Sequence, residues 1–144
     1  MASSRLFVRR RDGRIEVRLN AQARELVREA FGHVLAAEHD ADHEWHASLH
    51  GPISPSSDVD DPLATLTRQS EVSSNVELAV ASLNEEFLTE GEAWAWLCTL
   101  QVALRGVITA KGLLTAERLA EADETTAAFI GALQAFLFGL ADVM

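Results

Sequence analysis

Four histidines, His39, His43, His46 and His50, are spaced four, three and four residues apart, and with His33 they make up all five histidines of the 144-residue chain. On an unbroken helix, at about 100° of turn per residue, their imidazoles would fall within roughly 60° of one another. Imidazoles at i and i+4 chelate one zinc, nickel or copper ion, so the stripe offers two pairs, His39 with His43 and His46 with His50. Glu38 or Asp42 would supply an oxygen ligand or the partner that orients a ring. The same spacing describes a solvated helix end, or a pH-responsive surface, since imidazole as a group changes charge in the physiological range. A closed structural site takes ligands from more than one element, whereas one straight helix offers them along a line. The expectation is therefore weak uptake of zinc or nickel, with no cofactor required for folding.

A second concentration of chemistry is cationic. Residues 1–28 hold eight arginines against Asp12, Glu16 and Glu25, a balance of +5 that leaves −15 for the remainder of a chain whose formal net charge is −10. Arg9, Arg11, Arg14 and Arg18 alternate with apolar positions and are expected to share one face of a β-hairpin. Such a ribbon could enter a DNA major groove or hold a phosphate. Against that reading, no later helix adds cations, and an acidic body repels a polyanion. Nucleic acid is an unfavoured partner, a DNA-binding regulator is the runner-up function, and a metal-binding protein using the histidine stripe is the third.

The signs of catalysis are absent. Cys98 lies among Trp94, Leu97 and Val102 with no histidine on its helix to activate it, which suits a small core residue. Glu85, Glu86, Glu90 and Glu92 read as solvated charge at a helix junction, and the chain has no Gly-rich phosphate loop, nucleophile elbow or His-Glu metalloprotease motif. No enzyme activity is expected. One cysteine and an N-terminus without an apolar stretch point to a cytoplasmic protein. The run from Ala127 to Ala141 is shorter than the roughly 20 residues that span a bilayer, so no membrane partner is expected.

The elements that would position these groups are mainly helical. Asp12-Gly13 predicts a two-residue hairpin turn within residues 5–19, with Leu6, Val8, Ile15, Val17 and Leu19 facing the core and Phe7 on the arginine face. Asn20 predicts the N-cap of a first helix bearing Leu26, Val27, Ala30, Phe31, Val34 and Leu35, with an extension toward residue 50 that would carry the histidines and bring Trp45 and Leu49 to the apolar side. Residues 51–65 read as a loop, and 66–142 as a helical bundle. Within that bundle a second helix runs from about Leu66 to Leu88, and Thr89 with Glu92 signals a capping box for a third helix ending at Lys111-Gly112. A short segment from Thr115 to Ala122 precedes a last helix over Glu124–Ala141. The expected fold is thus a single domain over 1–144, a bundle of about four to five helices with an N-terminal β-hairpin.

Three segments, FVRRRDGRIEVRLNAQARELVREAF near the N-terminus, AWLCTLQVALRGVITAKGLL over 95–114 and FIGALQAFL near the C-terminus, resemble an actinobacterial family of domains of unknown function, family twenty-seventeen. The resemblance extends over nearly the whole chain. It implies a helical fold and no established activity, a weak transcriptional-regulator association, and genes often found beside that of a Clp-protease adaptor. In that family a polar Asn-Asp-x-Arg run follows Trp-Leu-x-x-Leu on the third helix. The matching positions here are Gln101, Val102 and Leu104, so this chain departs from the pattern, with Arg105 as a displaced guanidinium.

Two features point to association. Trp94 and Trp96 are two apart, about 200° on a helix, so one ring must leave the core. In the last helix Phe129, Leu133, Phe136, Leu137 and Leu140, with Ala128, Ile130 and Phe138, leave almost no polar face. Such a helix must be covered all round, and those five residues are expected at a homodimer interface. The reading that results is a non-enzymatic interaction or regulatory domain that forms a homo-oligomer or binds a protein partner.

Overall fold

The computed structural model of the chain describes residues 6–40, 42–45, 62–112, 117 and 120–144, of which 62–71 enter as backbone only. Its elements run β1 Phe7–Arg9, β2 Ile15–Val17, α1 Ala21–His39, α2 Pro62–Ala81, β3 Phe87–Leu88, α3 Glu90–Ala110 and α4 Glu124–Asp142. The architecture is mainly helical, with the N-terminal hairpin set in a three-stranded antiparallel sheet of order β1-β2-β3.

The hairpin forms in a register one residue away from the expected one. Asp12-Gly13 as a two-residue turn would need positive φ at both positions, yet only Gly13 adopts it, at +89°. The turn instead takes three residues: Gly13 N donates to Arg10 O at 3.0 Å, Arg10 N donates to Arg14 O at 2.8 Å, and Asp12 Oδ1 accepts from Arg14 N. Phe7 therefore pairs with Val17 and Arg9 with Ile15. A one-residue slip turns a strand over, so Phe7 is buried with Ile15 and Val17 while Val8 lies only half-buried. The slip gains an aromatic contact, for Phe7 meets Trp96 edge-on at 6.3 Å and Phe31 meets the same indole at 5.3 Å.

Each helix start is set locally. Asn20 caps α1 by accepting from Ala23 N at 2.7 Å, Asp123 caps α4 by accepting from Thr126 N at 2.7 Å, and Thr89 and Glu92 form the expected reciprocal capping box on α3. Gly112, at φ +67°, follows the end of α3. α3 is the axis of the bundle, packing against α1, α2 and α4. Trp96 lies at its centre, fully buried, with its indole N–H donating to Ser82 Oγ at 2.8 Å, so its one polar group is satisfied.

Three expected boundaries move. α2 starts at Pro62, inside the stretch expected to be loop, because proline's fixed φ suits a first helical turn. It ends at Ala81, and Phe87 and Leu88 form an edge strand on β2 where the helical pattern was read on through them. α1 stops at His39, with Asp40 extended as its C-cap. Half of the expected short helix over 115–122 lies outside the described residues, and of the rest Glu117 and Ala120 are helical.

Candidate functional site

The end of α1 decides the histidine stripe. Asp40 Oδ1 accepts from Asp42 N and Asp40 O accepts from His43 N, so the chain turns away from the helix axis where the stripe required it to continue. This is the local competition that aspartate side chains offer to helical hydrogen bonding. His39 remains on α1, exposed, while His43 sits in the turn, with its Nδ1 accepting from Trp45 N at 3.1 Å. The pairing of His39 with His43 across one helical turn is therefore not formed. His43 instead meets His33 and Trp45 edge-on, with ring centroids 5.7 and 5.9 Å away. No group of three His, Cys, Asp or Glu side chains is placed to hold an ion among the described residues. His46 and His50 lie outside them.

Trp45 is buried, as its apolar side predicted, but a turn delivers it rather than a helix. It lies on α3 at Gly106, where an added Cβ would come within 2.8 Å of the indole. Only glycine permits that approach. With His33 at 4.9 Å, Trp45 lines an open groove of about 740 Å³ between α1 and the start of α4. Leu26, Trp45, Val107 and Phe129 supply its apolar surface, and Glu25, Glu29, Glu44 and Glu124 supply carboxylates, with Lys111 as the opposing charge. Sequence reasoning missed this groove because its residues come from four separate segments. Glu25 and Glu29, spaced i,i+4 beside Leu26, were the only local signal.

The arginine face is also rearranged by the hairpin register. Arg14 and Arg18 share the outer face of the sheet with Arg10, whereas Arg9 falls on the core side and donates to Val143 O at 3.4 Å, and Arg11 lies in the turn. The expected face of Arg9, Arg11, Arg14 and Arg18 is thus split. Its cations are largely answered by the chain itself. Glu16 pairs with Arg18 at 2.9 Å and with Arg10 at 3.8 Å, Asp12 pairs with Arg14 at 2.8 Å, and the Arg14 guanidinium lies 4.6 Å from the Phe87 ring centroid. Hydrogen bonds from Arg14 hold the Asp12 carboxyl below its ordinary value, and the bond from Arg18 does the same for Glu16. Arg24 is structural: it donates to Leu83 O at 3.0 Å and to Val17 O, tying the segment after α2 to the end of β2.

The two tryptophans divide as their spacing requires, Trp96 buried and Trp94 51% exposed. Cys98 is half-buried, further from the core than expected. On α4 the residues expected at an interface divide as well. Leu133, Phe136 and Leu140 are buried within the chain's own core, and Phe129 and Leu137 are half-buried against it. Its outward seam is a different set, Ala128, Gly131, Ala135 and Phe138, with Glu124 and Asp142 at the ends. Phe138 is 67% exposed, the most exposed large hydrophobic side chain among the described residues. By length and composition α3 and α4 could each cross a membrane, a test that a soluble core helix also passes; half of α3's apolar window is buried in the fold, but only 22% of α4's.

Comparison of the chain with family models, with curated proteins and with solved structures finds no match.

Proposed function

We propose that this chain is a non-enzymatic interaction domain that self-associates through the outward seam of α4. The observation that carries the reading is the exposure of Phe138 in line with Ala128, Gly131 and Ala135 on a helix with no polar face. The seam repeats at alternating spacings of four and three from Glu124 to Asp142, the period at which two helices keep a common stripe in contact. Alanine and glycine let two backbones approach closely, and Phe138 supplies the bulk that fills the gap beside them. Covering an exposed phenylalanine is worth about 1.5–3 kcal/mol, and a two-fold contact covers two of them. The arginine face gives the DNA-binding alternative less support, because Arg14, Arg18 and Arg9 already meet Asp12, Glu16 and a backbone carbonyl.

Light scattering tests this directly. The expected result at micromolar concentration is a mass above the 15.7 kDa of one chain, falling to that value in Phe138→Glu with the helical circular dichroism retained. A wild-type protein that remains at one chain's mass would remove the proposal.

A further inference from the structure

We propose that the groove between α1 and the start of α4 is a docking site for a basic amphipathic helix of a partner protein. Its floor is apolar, made by Leu26, Trp45, Val107 and Phe129. Its walls carry carboxylates from different elements: Glu25 and Glu29 from α1, Glu44 from the turn, and Glu124 from the first turn of α4. Glu44 and Glu124 make no ion pair among the described residues, and Glu29 has only His33, at 3.9 Å. Glu25 is engaged by Arg28 on its own helix. The one cation in the lining is Lys111; outside the groove, hydrogen bonds from Thr126 hold the Asp123 carboxyl below its ordinary value, with a smaller contribution from the Lys111 charge.

Charge complementarity selects the occupant. A ligand that fits must present an apolar stripe to the floor and cations to both walls, which is the pattern of a helix with leucines in a line and lysines or arginines flanking them. The length agrees. The α1 wall extends from Gln22 to His33, twelve residues and so eleven steps of about 1.5 Å, or about 16 Å, which is three turns of a docked helix. Pre-organisation agrees too, since Gly106 lets Trp45 lie flat on α3 and the indole is held by His33 and His43. The hairpin of a second copy is a poor occupant, because it is a short two-stranded ribbon rather than a helix and its Arg10, Arg14 and Arg18 are engaged by Glu16 and Asp12. The groove adjoins the α4 seam through Ala128, so the inference goes beyond self-association and is tested in a chain that lacks it.

The probe is a synthetic 14-residue peptide with leucines on one helical stripe and lysines on both flanks, fluorescently labelled and titrated against the full chain by anisotropy. Phe138→Glu, the single chain, should bind it at least as tightly as wild type, whose α4 seam shares Glu124 and Ala128 with the groove, and the tryptophan emission of the protein should shift on saturation. The double variant Glu29→Gln with Glu124→Gln should bind about fivefold more weakly, as two exposed charge pairs are worth. The charge-matched control, Glu77→Gln with Glu85→Gln, should bind as wild type does, because those carboxylates are exposed away from the groove. Equal weakening in both double variants would mean attraction to the acidic body as a whole and would overturn the proposal. So would equal binding of a scrambled peptide of the same composition, or saturable binding of tetraphenylphosphonium with none of the peptide. Loss of binding only in Phe138→Glu would place the peptide on the α4 seam and likewise overturn it.

Discussion

The outer face of the sheet and the outer face of α4 are both exposed, and the sequence draws attention to both, but they differ in what the fold leaves undone. On the sheet, Arg10, Arg14 and Arg18 find Glu16, Asp12 and the Phe87 ring within the same chain. On α4, nothing in the chain reaches the outer side of Phe138, Ala135 or Gly131 among the described residues. A surface is a candidate for a partner when its needs remain unmet after folding. By that measure the conspicuous arginines are the weaker candidate and the small, apolar seam the stronger.

The comparison can be broken from either side, and the largest effect should come from the inner face of the same helix. Leu133→Ala should cost about 2–5 kcal/mol in chemical denaturation, because Leu133 is fully buried. Phe138→Glu should leave the stability of the single chain, compared at a concentration where wild type is dissociated, within about 0.5 kcal/mol of wild type, as expected of a surface site. If instead Phe138→Glu destabilised the isolated chain as much as Leu133→Ala, the seam would be part of the core. Next in size is Gly106→Ala, which must displace the Trp45 indole and should cost about 1–3 kcal/mol. Its signature is a shift in the emission of Trp45, the residue it displaces. Arg24→Ala removes a charged donor from Leu83 O and Val17 O and should cost about 1.5 kcal/mol, whereas Arg18→Ala, on the outer face, should cost less than about 1 kcal/mol.

The smallest expected effect is on pH dependence. Asp12 and Asp123 are held below the ordinary 3.8 and Glu16 below the ordinary 4.5. A carboxylate whose folded pKa is depressed contributes stability above its unfolded value and loses it as pH falls through the folded one. The three contributions are therefore complete at neutral pH and fade only in acid, starting near 4.5 for Glu16 and near 3.8 for the two aspartates. Carboxyl carbon shifts followed by NMR should show all three midpoints below those of the same residues in an unfolded peptide. A midpoint at or above the peptide value for Glu16 would mean that its arginine pairs do not persist in solution, which would free the sheet face for a polyanion.

The helices were legible because their signals are local. Asn20, the Thr89–Glu92 box and Gly112 each lie within a few residues of the boundary they set, and the structure uses each of them. Where the sequence misled, a distant contact chose between local options of similar cost. Asp12-Gly13 supports a two-residue or a three-residue turn, and the burial of Phe7 against Trp96 selects the second. The histidine period continues through Asp40, yet the Asp40 side chain ends the helix and Trp45 is drawn onto Gly106. An apolar α4 announced that it must be covered, but which of its sides the chain itself covers depends on how it lies against α3, which no pattern within α4 contains. The groove was the least legible feature, since its carboxylates are brought together only by the packing of α1, the turn and α4.

Cross-linking tests most directly whether the outward seam of α4 is where two copies meet. Gly131 has open space around its Cα and no unusual φ, and Ala135 is exposed, so cysteine fits at either position. In a Cys98→Ser background, Gly131→Cys and Ala135→Cys are oxidised at micromolar concentration beside a control cysteine at the exposed Ser74 of α2. The account predicts a disulfide-linked dimer from at least one seam variant, with Ser74→Cys remaining a single chain. Cross-linking from Ser74→Cys with none from either seam position would contradict it.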